Sequence, residues 1–379
     1  MLFDYTTLQI IWWVLIAAVL VIYATTAGFD FGVTLLMPFL RRKATFIEND
    51  EERRVLLNTI APTWDGNQTW LVFAGGALFV IWPPVYGATF SGMYALMLCV
   101  LWSFFLRPPG FDYRSKLPNV NWRRAWDWGL FISAFLPVLA FGLGMGNLLL
   151  GLPISHDPIT LRSFYAGNFG DLLNLFGIIT MVASLFLFLM HGAAHLNRRT
   201  EGALKILFRK MQRRFGIAFL LLFSVGWLQL ATNINGYVYI DAHTIHRGIG
   251  VWMDNYAQYP WKWVGPILAY AGIVLSLLTN GIGRGSVAFW LSGIGVAGAV
   301  LTPILALFPF VVPSSVKVAQ SLTIYNATSA PFTMMGMFYI TVILLVVIFA
   351  YKFWGYAMVW RKKKTLSVED VRQHSHHLY

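Results

Sequence analysis

Two carboxylates and a pair of histidines lie in or beside long stretches of this chain that otherwise carry no charge. Asp65 stands in Ala61-Pro62-Thr63-Trp64-Asp65-Gly66-Asn67-Gln68-Thr69-Trp70, between the alternating acids and bases of Arg41 to Arg54 and the uncharged run Leu71 to Trp82. Asp30 stands in Thr25-Thr26-Ala27-Gly28-Phe29-Asp30-Phe31-Gly32. A carboxylate costs roughly 2.5–3.5 kcal/mol at mid-bilayer and less near an interface, so such a group faces protein or water rather than lipid. Buried carboxylates relay protons well, and that is the chemistry the pair offers. Asp65 also precedes Gly66-Asn67 at a predicted helix start, where a carboxylate caps free N–H groups. Capping and relay are compatible.

His191 and His195, in Met190-His191-Gly192-Ala193-Ala194-His195, are spaced i, i+4 and share a helix face. That spacing suits a metal or one axial heme ligand, and equally a pair of histidines packed at a helix interface. The other six histidines fall in loops or in the tail, where His374, His376 and His377 cluster. No nucleophilic triad, zinc spacing or nucleotide fingerprint is present. Gly281-Ile282-Gly283-Arg284-Gly285 lacks the lysine and hydroxyl of a phosphate loop and reads as a tight turn.

The elements that position these residues are membrane helices. The 379 residues are 58% hydrophobic and 12% charged, against about 25% charged in soluble proteins. The apolar residues gather in blocks of about 20, the length of a membrane helix, with none of the short alternating strands of a β-barrel. The single cysteine, Cys99, excludes a disulfide within the chain. Met1-Leu2-Phe3-Asp4-Tyr5 has no basic segment of a secretory signal, so the first span is expected to be retained.

Nine spans are predicted, near residues 9–37, 66–82, 86–106, 127–150, 171–195, 215–235, 263–281, 286–310 and 334–358. Of the 28 lysines and arginines, 23 fall in alternate connections and the tail, four on the opposite side, and Lys352 within the last span. That asymmetry predicts an N-terminus outside and a C-terminus in the cytoplasm, and explains the net charge of +12 without a nucleic-acid partner. Residues 1–360 are read as one polytopic transmembrane domain and 361–379 as a cytoplasmic tail.

Trp252, Tyr256, Tyr259, Trp261 and Trp263 are expected at headgroup level. Leu204 to Arg214 mixes apolar and basic residues, and reads either as an amphipathic helix on anionic lipid or as an extension of the fifth span. Glycine pairs within spans (Gly28 and Gly32, Gly75 and Gly76, and Gly142, Gly144 and Gly146) are read as close helix packing. Arg107-Pro108-Pro109-Gly110-Phe111-Asp112-Tyr113-Arg114 and Trp126-Asp127 are expected to build a rigid cap at the charged end.

Taken in order, Gly28-Phe29-Asp30, Ala61-Pro62 with Trp64-Asp65-Gly66-Asn67-Gln68, Gly75-Gly76-Ala77-Leu78-Phe79, Arg107-Pro108 with Gly110-Phe111-Asp112-Tyr113-Arg114, Trp126-Asp127, Gly146-Asn147-Leu148-Leu149, Phe308-Pro309-Phe310 and the closing Leu378-Tyr379 resemble subunit II of the cytochrome bd quinol oxidases. The resemblance implies an all-α membrane subunit of two four-helix bundles plus one peripheral helix. It implies a complex that oxidises membrane quinol and reduces dioxygen to water, with heme b and heme d carried by subunit I. Subunit II then binds no heme through its own side chains and carries protons from the cytoplasm. The implied partners are subunit I, a small accessory subunit, quinone and lipid.

The family's motif acid falls on Asp65 and its first-span acid on Asp30; Asp65 is expected to be the proton entry, with Asn67 and Gln68 hydrogen-bonding water at that mouth. Many relatives have an acid where this chain has Ala27. Two rival readings stay open at this level: a proton-coupled secondary transporter, and a scaffold with protons entering through subunit I.

Overall fold

The computed structural model describes residues 3–40, 45–157, 159–160, 162–241, 244–362 and 365–373. Arg41, Arg42, Lys43, His243, Lys363, Lys364, the histidine cluster of the tail and Leu378-Tyr379 lie outside the described residues.

Helix α1 (Tyr5–Leu36) starts where Asp4 accepts a hydrogen bond from the Thr7 amide at 3.0 Å, and runs into a 3-10 turn at Met37–Phe39. At about 48 Å it exceeds a hydrocarbon core of about 30 Å, so one end is housed in protein. A short polar helix, α2 (Phe46–Ile60), follows under an N-cap at Thr45. After α3 (Trp64–Ile81) the chain bends by 119° into α4 (Pro83–Gly92). Pro83 and Pro84 cause the break, because neither donates an amide to the preceding turn and both suit the first turn of a new helix. The third crossing is Tyr94–Tyr113, made of α5 (Tyr94–Phe104) and α6 (Arg107–Tyr113). The predicted third span therefore started too early: residues 86–92 belong to α4.

Next come α7 (Val120–Leu150), α8 (Leu175–Arg199) and α9 (Gly202–Thr232), then α10 (Trp252–Gln258), α11 (Val264–Gly281) and α12 (Gly285–Leu307). The chain closes with α13 (Pro331–Lys362) and α14 (Val368–Gln373). Among the described residues, eight segments are long and apolar enough to cross a membrane, and the bent pair α3–α4 passes the same test only when taken together as one broken span. Helices α1, α3, α5 and α7 form one bundle and α8, α9, α11 and α12 another, with α13 lying outside against α1 and α3.

Three antiparallel hairpins gather at one end: β1 (Ile154–Asp157) with β2 (Arg162–Tyr165), β3 (Asn235–Tyr239) with β4 (Ile245–Ile249), and β5 (Phe310–Val312) with β6 (Leu322–Thr323). The Leu152 amide donates to Pro313 O, and Ser315 N donates to Leu152 O, both at 2.9 Å, which ties the first hairpin's base to the third. Inside this lid Trp252 and Tyr256 are fully buried, donating to Leu149 O at 3.1 Å and Thr302 O at 3.2 Å. They are lid core, not headgroup anchors as expected. Tyr259, Trp261 and Trp263 remain exposed. Burial raises the Tyr256 phenol above its ordinary pKa.

The bundles meet where α8 packs against both α7 and α1, and the closest backbone approach to α1 is at two glycines. A Cβ on Gly32 would lie 2.8 Å from Gly192 Cα, and one on Gly192 would strike the Gly32 backbone. Only hydrogen fits at this crossing. Gly75, Gly76 and Gly144, by contrast, meet nothing within 4 Å, so the packing expected of them is not made within this chain.

Leu204 to Arg214 is neither a flat surface helix nor part of the fifth span: it is the start of α9, the sixth. Gly202, at φ +57°, reverses the chain after α8, and Leu204, Phe208 and Gln212 then pack inward. The tail also docks. Leu366 N donates to Arg199 O at 2.8 Å, Val371 is buried, and Arg372 forms a two-pronged pair with Glu51 at 2.9 and 2.8 Å.

Burying a valine contributes about 1.5–3 kcal/mol, more than a typical exposed ion pair. Val371→Asp should therefore free residues 365–373, read as fast amide exchange and proteolysis, while Arg372→Ala leaves them protected.

Candidate functional site

Asp30 sits in the last two turns of α1 and is fully buried. Its Oδ2 accepts a hydrogen bond from Asn67 Nδ2 at 2.7 Å; its Oδ1 has no hydrogen bond among the described residues. Asn67, also fully buried, donates to Thr26 O at 3.1 Å and accepts at its Oδ1 from the Tyr356 hydroxyl at 2.7 Å. Asn67 thus holds three helices together, α1, α3 and α13, and it belongs to the interior rather than to the mouth where it was expected. Gln68 Oε1 accepts from the Tyr23 hydroxyl at 3.1 Å, and Gln68 Nε2 is buried without a partner among the described residues.

Asp65 lies in the first turn of α3, exposed on the surface of this chain. The cap position is Thr63, and Asp65 does not cap by side chain. Its charge still suits the positive end of the helix dipole. Lys352 of α13 lies within electrostatic reach of both Asp65 and Asp30, and its Nζ donates to Gly66 O. Arg107 closes the cluster from α6. It is buried, with its guanidinium 4.9 Å from the Phe31 ring, 5.6 Å from Trp64 and 5.9 Å from Phe111, and with Asp30 in electrostatic reach. None of its side-chain nitrogens has a hydrogen-bond partner among the described residues. Buried polar atoms are nearly always bonded, so this cluster calls for water or for groups from another chain.

Sequence reading found both acids, Asn67 and Gln68. It missed Tyr23, Arg107, Lys352 and Tyr356 as members of the cluster. Lys352 carried a usable signal, because a charge inside a span is costly and faces a partner.

The histidines lie elsewhere, on the far side of α1. His191 Nε2 is 3.0 Å from Thr25 O and Nδ1 2.8 Å from Ser292 Oγ. The carbonyl can only accept, so in the neutral ring Nε2 carries the proton and Nδ1 faces the Ser292 hydroxyl, which also bonds Phe289 O at 2.6 Å. Its ring stacks on Phe289 at 5.3 Å, and that of His195 on Phe29 at 4.4 Å. With both nitrogens engaged and its ring packed on Phe289, His191 does not fit an axial ligand; His195 stacks on Phe29, with Nε2 3.4 Å from Thr59 O and Nδ1 unbonded among the described residues. Among the described residues no three His, Cys, Asp or Glu side chains gather to hold a metal.

At the same end, a buried ionic lattice forms the expected cap. Arg114 donates from Nε to Asp127 at 2.6 Å and from Nη2 to Asp50 at 2.7 Å; Arg53 pairs with Asp127 at 3.1 Å, and Arg123 with Asp50. Burial opposes the Arg114 charge, yet the two carboxylates outweigh it and hold the guanidinium above its ordinary pKa.

Comparison with known proteins places this architecture. The profile of the family described as cytochrome bd terminal oxidase subunit II matches residues 8–359. The cytochrome bd-I ubiquinol oxidase subunit 2 of Escherichia coli (strain K12) is 40% identical, the alignment covering 99% of this chain and 100% of that protein. The cytochrome bd ubiquinol oxidase subunit 2 of Bacillus subtilis (strain 168) is 29% identical over 94% of this chain and 97% of its own. Among solved structures, the bd oxidase from Geobacillus thermodenitrificans has a chain of the same fold, with a TM-score of 0.69 at 15% identity, covering 94% of this chain and 100% of that one.

Proposed function

This chain belongs to the cytochrome bd terminal oxidase subunit II family, and from that premise we propose that it supplies protons to redox groups held by a partner subunit. It is a multi-pass membrane subunit of a bacterial respiratory oxidase, a quinol:oxygen oxidoreductase complex. The transporter reading has no support in the family match and is set aside. In our reading subunit I carries heme b and heme d, which supply the electron transfer and dioxygen chemistry, and it oxidises ubiquinol. The N-terminus faces the periplasm and the C-terminus the cytoplasm, as the distribution of basic residues favours.

The observation that carries the proton route is the Asp30 carboxylate. It is fully buried, bonded through one oxygen to Asn67 and unbonded at the other among the described residues, inward of the exposed acid Asp65. Asp65 takes up a proton at the rim, and Asp30 receives it inside. Asn67 and Tyr356 hold Asp30 in place, while Gln68 and Arg107 turn further polar atoms toward the same interior. Protons consumed in water formation then enter from the cytoplasm while quinol protons leave outside, so turnover builds a gradient without a pump.

Subunit I docks on the outward face of α3. There Val72 is 74% and Phe79 58% exposed, and Gly75 and Gly76 leave room for another backbone.

Asp30→Asn in the purified complex should lower quinol-driven oxygen consumption roughly 10²-fold, the lower end for removing a positioned proton-transfer group. Asp65→Asn should lower it several-fold, because water partly replaces an exposed acid. Heme spectra should stay intact in both. Unchanged turnover and unchanged proton uptake by vesicles holding either variant would favour the scaffold and overturn the route.

A further inference from the structure

The first turns of α9 display a second feature, independent of the proton route. Lys205, Arg209 and Arg213 succeed one another at i, i+4 and i+8 on one helix face. The middle one is engaged: Arg209 Nη2 donates to Gly281 O, and Asn280 Nδ2 donates back to Arg209 O at 2.9 Å, which locks α9 to the end of α11. Lys205 and Arg213 remain exposed on either side of this clasp, with Arg284 exposed on the adjoining α11–α12 turn. The nearest acid along this stretch of α9, Glu201 at its N-cap, bonds to Thr365 Oγ1.

An apolar lane begins where the charges stop. Beyond Arg213 the exposed side of α9 turns gradually around the helix through Ile217 (45% exposed), Leu221 (64%) and Leu228 (60%). On the neighbouring helix α11, Leu278 and Leu275 are also exposed. The two helices touch at Gly216, where an added Cβ would lie 2.8 Å from Leu277, so the lane is a shallow groove between neighbours. Three exposed cations, none in an ion pair among the described residues, therefore cap an apolar groove. A soluble acidic peptide matches the cations but not the lane; a zwitterionic lipid matches the lane but leaves the cations uncompensated.

We propose that Lys205, Arg213 and Arg284 with the α9–α11 groove form a binding site for one anionic phospholipid, its phosphate over the cations and an acyl chain along Ile217 and Leu278. Each basic residue near an anionic headgroup strengthens association roughly fivefold, so losing three costs on the order of 10²-fold.

The test uses the intact oxidase complex in detergent, titrated with phosphatidylglycerol or phosphatidylcholine and read by native mass spectrometry. The wild type should retain phosphatidylglycerol selectively, and added salt should weaken it. The triple variant Lys205→Gln, Arg213→Gln, Arg284→Gln should lose that retention with unchanged heme spectrum and melting temperature. Arg213→Gln alone should lose roughly fivefold, and it serves if the triple variant fails to assemble. Equal retention of the two lipids by the wild type, equal phosphatidylglycerol binding by wild type and variant, or displacement of the lipid by a poly-glutamate peptide would each overturn the site.

Discussion

Asp127→Ala is expected to destabilise the complex by about 3–5 kcal/mol, the cost of leaving a buried cation without its partner. Among the described residues Asp127 bonds to both Arg53 and Arg114, and the three side chains are 3%, 6% and 0% exposed. Asp50 still reaches Arg114, but nothing replaces the 2.6 Å bond at Nε. The lattice joins α2, the loop after α6 and α7, so its failure should loosen the whole end on which Asp65 and α14 sit. The measurement is the thermal midpoint of the purified complex, with proteolysis of the loop between α6 and α7 as a local readout. A midpoint unchanged by Asp127→Ala would show that the cap is held by apolar packing instead.

Gly192→Leu should prevent the two bundles from closing. At most core positions an extra side chain costs about 1–3 kcal/mol because neighbours shift. Here the obstacle is the Gly32 backbone itself, which moves only if α1 moves as a whole. Because α1 also carries Asp30, separation of α1 from α8 should dismantle the proton-route cluster together with the fold. The expected result is loss of assembled, heme-containing complex from membranes. Gly144→Ala, on a glycine that meets nothing within 4 Å, should assemble normally. Normal assembly of Gly192→Leu would mean that the bundles are joined elsewhere, for instance through the α7–α8 contact.

The two substitutions probe parts of the molecule that differ in how readily they are read from residues. Asp127 was legible in place: Trp126-Asp127 follows a basic segment at a helix start, so a cap of mixed charge was expected there. Gly192 was not, since a glycine between two histidines draws attention to the histidines. Their i, i+4 spacing is the same for a ligand pair and for a packed pair. Only the Phe29, Phe289 and Ser292 side chains, from helices far apart in sequence, decide for packing.

Hydropathy alone located the apolar segments, eight of them candidate crossings among the described residues and a ninth if the bent pair is one span, and the lysine and arginine distribution alone set the expected orientation, because both follow from transfer of each segment between water and hydrocarbon. The acids Asp30 and Asp65 were visible for the same reason: charge in an apolar run is costly and therefore conspicuous. Only the tertiary structure decided which of them is enclosed and what encloses it. Tyr356 reaches Asn67 across 289 residues of sequence, and Lys352 meets Gly66 across 286. Helical periodicity fixes the face on which a residue lies; which faces then meet depends on where side chains are small enough for backbones to approach, as at Gly32 and Gly192.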